Sequence, residues 1–597
     1  MWLSCFLVSI GCLFIAVFFS LWENGKGKLA KKRKISLFHC LFAGVFVAAV
    51  LMFLPIHCEG TEDTLFGLWR AFLLSVFHSM QVFTIGCDFG VVKGSMEFCP
   101  DWLDVGYQVW AATLFVLAPV FTFGFVLSLF KNLSAHLKYR FSNKKETYVF
   151  SELNEKSLVL AKDIKAKSKK ALIVFTDVFR ENRESTYELI EKAETLGAIC
   201  FKKDILVIDF GRRLGKDALR FFTIGDNETE NLNQALKLIE NYKNRENTRV
   251  YVFSTKIESE ILLTAVDKGL VKVRRVNEVQ MLINRVLYER GEILFESAKP
   301  MSEGGKKISA VVVGMGRHGT EMVKALTWFG QMDGYKLEIH AFDKDPLAKE
   351  KFDALVPELM SEDYNGAEIE GEAQYKITVH PDTDVATAAF AKEIAKIGDA
   401  TYVMVALGDD DVNINTAVTL RMYFERLGIH PVIQAIVYNS QQKRALEGVK
   451  NYRGQPFDIE FIGDMESSYT EAVIIDSELE AEALRRHLKW GKEEEFWTYE
   501  YNYRSSMASA IHMRARIKCG IPGADKNGED LSVEERTAIE TLEHRRWNAY
   551  MRSEGYVFSG STDKSSRNDL AKMHHDLVDY ASLSEEVKRL DSKVGTK

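Results

Sequence analysis

Apolar residues dominate the first 130 positions, where three segments are long enough to cross a membrane. They cover residues 1–22, 36–56 and 104–130. About 20 apolar residues in a helix span a bilayer core. Residues 64–81 are also apolar, but Arg70 and His78 interrupt this segment and it is short for a crossing. The pattern therefore predicts three spans, with one shorter helix between the last two.

The charges beside these segments predict their orientation. The loop after the first span is basic, with Lys26, Lys28, Lys31, Lys32, Arg33 and Lys34. The stretch after the third span is also basic, whereas acidic residues flank the shorter helix at Glu59, Glu62, Asp63, Asp88, Glu97 and Asp101. Basic loops stay in the cytoplasm, so the N-terminus is expected outside. Residues 64–81 must then enter the membrane and return, which is tolerated only where protein or water surrounds them.

A cleaved signal peptide is the rival interpretation of the first segment. Such a peptide needs basic residues before its apolar run and a cleavage site of small residues. Neither is evident here, since the basic residues follow the run. A membrane helix is the expectation.

A short stretch after the re-entrant segment contains the candidate pore lining. It consists of Thr84, Ile85, Gly86, Cys87 and Asp88. Small residues allow an extended chain whose carbonyl groups replace the water shell of an ion. The stretch resembles the potassium-channel filter Thr-Val-Gly-Tyr-Gly-Asp, and the order of span, half-helix, filter and inner helix is also similar. One glycine is missing and Cys87 stands where tyrosine would be, which puts strict potassium selectivity in doubt. An ordinary loop outside the membrane is the alternative.

From residue 146 the pattern changes to buried strands alternating with helices, which is typical of parallel α/β sheets. A strand that begins near residue 307 leads into Gly314, Gly316 and Gly319, spaced as GxGxxG. The first glycine permits a tight turn, the second lets a phosphate approach, and the third allows close packing. The candidate nucleotide-binding residues are Gly314, Gly316, Arg317, His318, Gly319 and, for a ribose hydroxyl, Asp343. A loop that serves packing alone is the alternative.

Residues 146–300 read as a degraded copy of the same unit. Glu152 and Glu155 stand in the first turn, where glycines would be, and would repel a phosphate. A two-helix pore followed by two Rossmann-like units is similar to potassium channels with RCK (TrkA-N-type) domains. In that family the units form a cytoplasmic ring that gates the pore on ligand binding. The resemblance implies a homotetramer.

The C-terminal part, from about residue 497, is predicted to be helical, with a capping box formed by Ser532 and Glu535. It contains an ordered polar and aromatic set, namely His544, Arg546, Trp547, Asn548, Arg552, Tyr556, Arg567, Lys572 and His574. This set resembles the RyR domain of ryanodine receptors and bacterial proteins. The resemblance implies a sensor of nucleotide-derived signals. Arginines suit anions and aromatic rings offer flat faces. The alternative is a compact helical pair in which Trp547 is core and Arg546 pairs with Glu543.

A metal site is not expected. His544, His574 and His575 invite a zinc interpretation, but no cysteines lie nearby and adjacent histidines diverge on a helix. The net charge of -7 over 597 residues gives no basic excess, so nucleic acid is not an expected partner. Eight cysteines are too few for a disulfide-built protein, although Cys58 and Cys99 could pair if their side of the membrane is oxidising.

The sequence thus predicts an α-helical pore domain of three spans and a re-entrant pore helix, two α/β Rossmann-like parallel-sheet domains, and a small, mostly helical RyR-like domain. The predicted parts are an extra helix with its basic loop at 1–35, the pore at 36–130, a basic linker at 131–145, the sheet domains at 146–300 and 306–465, a linker at 466–496 and the RyR-like domain at 497–597.

We expect a ligand-gated cation channel in a bacterial inner membrane, with its large C-terminal region in the cytoplasm. Its partners would be monovalent cations, membrane lipid and a nucleotide ligand, NAD- or ADP-ribose-like or cyclic. No obligatory cofactor and no catalytic residue set is expected. The RyR resemblance implies a defence effector that depolarises the cell, and a housekeeping potassium channel is the alternative. A membrane-tethered NAD(P)-dependent oxidoreductase and a non-conducting scaffold are the rival functions.

Overall fold

The computed structural model describes residues 1–25, 37–59, 61, 64–93, 100–129, 131–142, 145–180, 184–211 and 217–596. The chain divides into two compact units, Met1–Phe141 and Ser142–Lys597. Cys99 lies outside the described residues, and with it the predicted pairing to Cys58.

The first unit is helical. Its helices are α1 (Trp2–Gly25), α2 (Leu37–Cys58), α3 (Leu65–Phe83), α4 (Gly90–Lys93), α5 (Asp101–Leu129) and α6 (Lys131–Arg140). Three segments are long and apolar enough to cross a membrane, namely Leu41–Cys58, Leu65–Phe83 and Asp101–Phe123. In α1 the side chains are described for Trp2–Phe18, and these form a shorter apolar helical segment. The expectation that α3 is too short for a crossing is wrong by length, because 19 residues of helix extend about 28 Å.

Side-chain contacts define how deep α3 runs along α2. His57 and His78 lie with ring nitrogens 3.0 Å apart. The ring of Phe83, the last residue of α3, lies 4.8 Å from Phe42 and 5.8 Å from Phe46. The two helices are therefore antiparallel, and α3 ends roughly 20 Å along α2 from its C-terminal end, at 1.5 Å per residue.

The chain after α3 returns to the end of α2 from which α3 departed. Tyr107, in the second turn of α5, donates a hydrogen bond to the carbonyl of Met52, near the end of α2. Trp2 packs on Tyr107 with ring centroids 5.2 Å apart and donates to Glu59 at 3.4 Å. Both the start of α3 and the start of α5 thus lie at one end of the bundle.

The second unit begins with a six-stranded sheet in which every pairing is parallel. Its strands are β1 (Glu146–Phe150), β2 (Leu172–Phe175), β3 (Ile199–Cys200), β4 (Ala218–Thr223), β5 (Thr248–Phe253) and β6 (Lys272–Val276), in the order β3-β2-β1-β4-β5-β6. Its helices are α7 (Glu155–Lys167), α8 (Glu184–Thr195), α9 (Glu228–Tyr242), α10 (Ile257–Ala265), α11 (Glu278–Arg290) and α12 (Glu292–Glu296). This order places the carboxyl ends of β1 and β4 side by side, where doubly wound sheets bind ligands.

A second sheet repeats the order. Its strands are β7 (Lys299–Pro300), β8 (Lys306–Val313), β9 (Tyr335–Phe342), β10 (Lys376–His380), β11 (Tyr402–Val405), β12 (Val432–Ile436) and β13 (Ile459–Ile462), in the order β10-β9-β8-β11-β12-β13, with β7 antiparallel to β8. Its helices are α13 (Arg317–Phe329), α14 (Ala348–Leu355), α15 (Ala388–Lys396), α16 (Asp410–Arg426) and α17 (Ser440–Leu446). The predicted parallel α/β organisation is confirmed for both segments.

The segment predicted as a linker, 466–496, is folded. It carries most of α18 (Met465–Ser468), all of α19 (Glu471–Ile474) and α20 (Glu478–His487), and the start of α21 (Glu493–Thr498). Tyr469, Ile474 and Ile475 are buried in the core of the first sheet domain. The linker expectation is wrong because these apolar side chains return to that core.

The C-terminal part contains α22 (Glu500–Lys518), α23 (Val533–Ser553) and α24 (Glu585–Gly595), with a small parallel pair of β14 (Val557–Phe558) and β15 (Met573–His574). The Ser532 hydroxyl and the Glu535 carboxylate form the predicted capping box of α23. Ala508, Ile511 and Leu542 belong to the same core cluster as Met322 and Phe329 of α13. The helices of this part are therefore packed on the second sheet domain.

Candidate functional site

The predicted pore-lining residues close α3 in a helix-ending turn. The Ile85 amide donates to the Val82 carbonyl at 3.3 Å, and the Gly86 amide donates to the Gln81 carbonyl at 2.8 Å. Ile85 has φ 61°, so the pattern is a Schellman turn. A β-branched residue seldom adopts this left-handed conformation. The expectation of an extended chain is wrong for Thr84–Gly86, because their amides satisfy the last carbonyls of α3.

The remaining residues of the predicted filter, Cys87 and Asp88, begin the return path. The Asp88 carboxylate accepts the Gly90 amide at 2.9 Å, and Cys87 is half-buried against the helices of the first unit. Thr84, Gly86 and Asp88 are exposed, and Ile85 is 73% exposed. The tip of the returning segment thus presents its surface away from the chain's own core.

The glycine-rich loop joins β8 to α13, and packing determines its first and third glycines. A Cβ at Gly314, where φ is 96°, would lie 2.6 Å from the Ala406 carbonyl oxygen. A Cβ at Gly319 would lie 1.7 Å from the Gly314 carbonyl oxygen. Gly316 differs, since nothing lies within 4 Å of its Cβ position and it begins α13 without a side-chain cap. Open space before a helix N-terminus is where a phosphate is accommodated.

Arg317 and His318 play different parts in this loop. The Arg317 side chain is 74% exposed and reaches toward the first sheet domain, 3.7 Å from the Glu228 carboxylate. The His318 imidazole lies 3.2 Å from the Tyr438 hydroxyl. Burial, aided by the Arg317 charge, lowers the pKa of His318 to about 4. His318 is therefore neutral near pH 7 and supplies no positive charge for a phosphate, leaving Arg317 as the cation of the loop.

Asp343 already supports the loop from the end of β9. Its carboxylate accepts the Met315 amide at 2.5 Å and the Asp345 amide at 2.7 Å. A ribose hydroxyl would have to share this carboxylate with the two amides. The aspartate thus ties the turn to the sheet whether or not a ligand is bound.

In the first sheet domain a carboxylate fills the matching position. A Cβ at Gly225, which follows β4, would lie 2.6 Å from the Glu152 carboxylate, and Arg180 lies 3.8 Å from the same carboxylate. Asn154 caps α7 in place of a glycine and forms a capping box with Ser157. The prediction that no dinucleotide phosphate occupies this turn agrees with this geometry.

The strongest contacts of the C-terminal polar set are to the second sheet domain. Arg552 is fully buried, 2.9 Å from Glu358 and 2.8 Å from Glu372, with its guanidinium 3.7 Å from the Tyr364 ring centroid. Burial acts against its charge, but the two carboxylates outweigh burial and raise the pKa of Arg552. Asn548 donates to Glu372 as well.

The other charged members of the set also have internal partners. Arg546 bonds Glu543 at 2.7 Å, which confirms the alternative interpretation of that pair. His544 bonds the Val578 carbonyl at 2.8 Å. Arg567 bonds Asp569 at 2.9 Å, and Lys572 donates to the Glu554 carbonyl at 2.6 Å.

Two aromatic members and His574 complete the set. Tyr556 is buried, and Trp547 is partly buried against the core. The His574 ring lies 4.9 Å from the Trp547 ring, and its Nδ1 accepts the Asp576 amide at 3.1 Å. The set therefore reads as a closed junction in this structure, and its expected role in ligand binding stays a prediction.

The expectation that the adjacent histidines diverge on a helix is wrong. His574 and His575 lie on and just after β15 rather than on a helix, with nearly parallel rings whose centroids are 4.7 Å apart. Together with Asp576 they bring ligand atoms within 4.8 Å of one another, a spacing that a metal ion accepts.

Glu358 and Glu372 are site residues that the sequence did not indicate. They lie between α14 and β10, about 180 residues before the arginine they neutralise. A local motif cannot reveal such a partner. The one usable signal was that a buried arginine needs a carboxylate somewhere.

Replacing Gly319 by alanine should destabilise the protein by about 3 kcal/mol, because the new methyl group has no room beside a backbone carbonyl. Gly316→Ala is the matched control and should cost less than about 1 kcal/mol, since its Cβ meets open space. Denaturant unfolding of the full chain in detergent measures both. Equal losses would contradict the assigned roles.

Arg552→Leu should lower the free energy of unfolding by about 3 to 5 kcal/mol, because it leaves two carboxylates without their cation. Arg545→Leu is the control, since its partner Asp333 is 44% exposed, and it should cost less than about 1 kcal/mol. A similar small loss in both variants would contradict the structural role of Arg552.

Acid should destabilise the folded state through His574. Burial, with Arg567 nearby, lowers the pKa of this histidine to about 3. As the pH falls below about 6.5, this histidine is protonated in the unfolded chain but stays neutral in the folded chain. The stabilisation is present above pH 6.5 and is lost as the pH falls, by up to about 3 kcal/mol at pH 4. His574→Gln should flatten this dependence in unfolding measured from pH 7 to 4, whereas His430→Gln, at an exposed site, should leave it unchanged.

No family model matches this chain, and a search of the curated proteins finds no match. The features that bear on its function are a returning segment in a helical unit, a glycine loop at a sheet edge and a closed polar junction.

Proposed function

We propose that this chain is the subunit of a homotetrameric, ligand-gated cation channel. The observation that carries the proposal is that α3 and the residues after it enter and leave the helical unit at one end. Phe83 packs deep against Phe42 and Phe46, while Tyr107 is back beside Met52. A segment that dips and returns needs protein or water around it within a membrane.

The residues that follow α3 carry oxygen groups of the kind that line an ion pathway. Thr84, Gly86 and Asp88 are exposed polar or small residues in the stretch that follows α3. Their carbonyl, hydroxyl and carboxylate oxygens are the groups that replace an ion's water shell. Four copies around an axis would cover the exposed Ile85 and bring these oxygens together. With a single glycine between Thr84 and Asp88, we propose a cation pore with weak selectivity for potassium over sodium.

The second unit is proposed as the cytoplasmic gate. Two Rossmann-like sheets of equal strand order lie in tandem, and Arg317 of the second reaches Glu228 of the first. A ligand at the glycine loop would contact both domains, and it shifts a closed–open equilibrium only by its differential affinity for the two states. The ligand class is a nucleotide, and the RCK- and RyR-like identities of these domains are part of the proposal.

The biological setting follows from the same parts. The basic loops predict a cytoplasmic second unit and an outside N-terminus in a bacterial inner membrane. A weakly selective pore opened by a signal nucleotide would collapse the membrane potential. Such a conductance suits a defence effector better than a housekeeping channel.

Liposomes containing the purified chain should release sodium and potassium when supplied with NAD, ADP-ribose or a cyclic nucleotide. Gly86→Leu should reduce this flux by ~tenfold or more, because its side chain enters the path of the ion. A Cβ at Gly86 meets only ordinary contacts, so the variant should fold. Gly11→Leu, at a site with open space, should conduct normally. Absence of flux with every ligand, or equal flux in both variants, would sink the proposal.

A further inference from the structure

A cavity of about 290 Å³ lies between α11 of the first sheet domain and α22 of the C-terminal part. The segment 472–479 closes one side of it. Positions on α11 that line it repeat every three or four residues, so one face of that helix is turned to the cavity. Its walls are mixed, with thioethers of Met281 and Met507 beside polar groups. Small-molecule sites have this composition.

Two amides on α11 face this space. The side chains of Gln280 and Asn284 are half-buried and line the cavity. Neither has a hydrogen-bond partner in the part of the chain that the structure describes. A side-chain amide offers both donors and an acceptor, and two of them one turn apart can read the edge of a planar heterocycle. Met281 and Met507 supply adaptable apolar contacts for its faces.

A loosely held cation lies at the mouth of the cavity. The Arg514 guanidinium stacks 4.3 Å from the Tyr288 ring centroid. Its carboxylate contact, to Glu478, is 3.9 Å long, and the Glu478 side chain is 80% exposed. The Nε of Arg514 has no partner among the described residues. An anion that bonds Arg514 directly would displace this weak contact, since bonds between charged groups are shorter and stronger.

We propose that this cavity binds one planar heterocycle that carries a single negative charge, as a 3′,5′-cyclic mononucleotide does. The ring lies between the methionines with its edge on Gln280 and Asn284, and the charged group replaces Glu478 on Arg514. The volume is at the low end of ligand pockets, roughly 300 to 1,000 Å³. It therefore suits a mononucleotide better than a dinucleotide. Five arginines and four carboxylates, the latter from Glu289, Asp476, Glu478 and Glu500, line the cavity. This near balance of charge favours a ligand with one negative charge over a ligand with several.

A ligand here would join two parts that are distant in sequence. Its contacts on α11 belong to the first sheet domain, and its contacts on α22 belong to the C-terminal part. Ligand binding at this site does not depend on the existence of a pore. The inference that the bound ligand is the gating signal rests on the proposed function.

Equilibrium dialysis of the full chain in detergent tests the site, with labelled cyclic AMP, GMP, CMP and UMP as probes and ADP-ribose as the oversized comparator. We expect at least one cyclic mononucleotide to bind ~tenfold or more tightly than ADP-ribose. Asn284→Leu and Arg514→Gln should each weaken that binding by ~tenfold or more, because each removes a hydrogen-bond partner. Arg290→Gln is the control, since Arg290 lies on α11 but pairs with Glu460 outside the cavity.

Three results would overturn the site. They are failure of all four cyclic nucleotides to bind at millimolar concentration, equal affinities in the three variants, and tighter binding of ADP-ribose that Asn284→Leu weakens. Binding with the expected variant pattern but without ligand-dependent flux in liposomes would support the site and overturn the channel. Flux that responds to other nucleotides, with none of the four bound, would overturn the site and leave the channel.

Discussion

A continuous series of ion pairs between buried side chains links the sheet domains to the C-terminal helices. Arg275 at the end of the first sheet lies 3.4 Å from Glu260, which lies 3.1 Å from Arg504. Arg504 continues to Glu554 at 2.7 Å, and Glu554 to Lys324 of the second sheet domain at 3.1 Å. Each of these side chains is less than a fifth exposed. Because a buried charge without its partner costs several kcal/mol, no member can move alone.

This constraint shapes what a ligand can do to the second unit. Arg504 also lines the cavity between α11 and α22. The cavity is therefore in direct contact with this series of ion pairs. A molecule that widens or narrows the cavity must also move α22 and the residues that form ion pairs with it. Coupling of this kind requires an element with two discrete arrangements, and an interlocked set of ion pairs favours discrete arrangements over gradual sliding.

Sequence patterns predicted the features that depend on near neighbours. The apolar runs, the GxGxxG loop, the capping box at Ser532 and the Arg546–Glu543 pair all involve residues within a few positions of one another. The strands β6, β10 and β13 do not stand out as apolar runs in the sequence. The first reads KVRRV, and its charged side chains are matched by partners such as Glu480, more than 200 residues later. All three lie at the edges of their sheets, where charged side chains are common and interrupt the apolar run that indicates a buried strand.

The candidate site shows the same division. Glycine positions followed from local backbone geometry, whereas the carboxylates of Glu358 and Glu372 are evident only when the chain is folded. The turn at Ile85 was also not predicted, although its hydrogen bonds join residues within five positions, because a β-branched residue seldom adopts the left-handed conformation. Residues after a helix either run extended or donate their amides to the last carbonyls of that helix. Thr84–Gly86 donate to the carbonyls of α3.

The carboxylate of Glu152 makes the two sheets unequal partners. It lies at the edge where a phosphate would lie, against the Gly225 position, so the first sheet has a carboxylate in that place. In a tetramer, eight sheets of the same strand order would then offer four glycine loops. In the proposed tetramer, a response driven by those loops would have a Hill coefficient no greater than four.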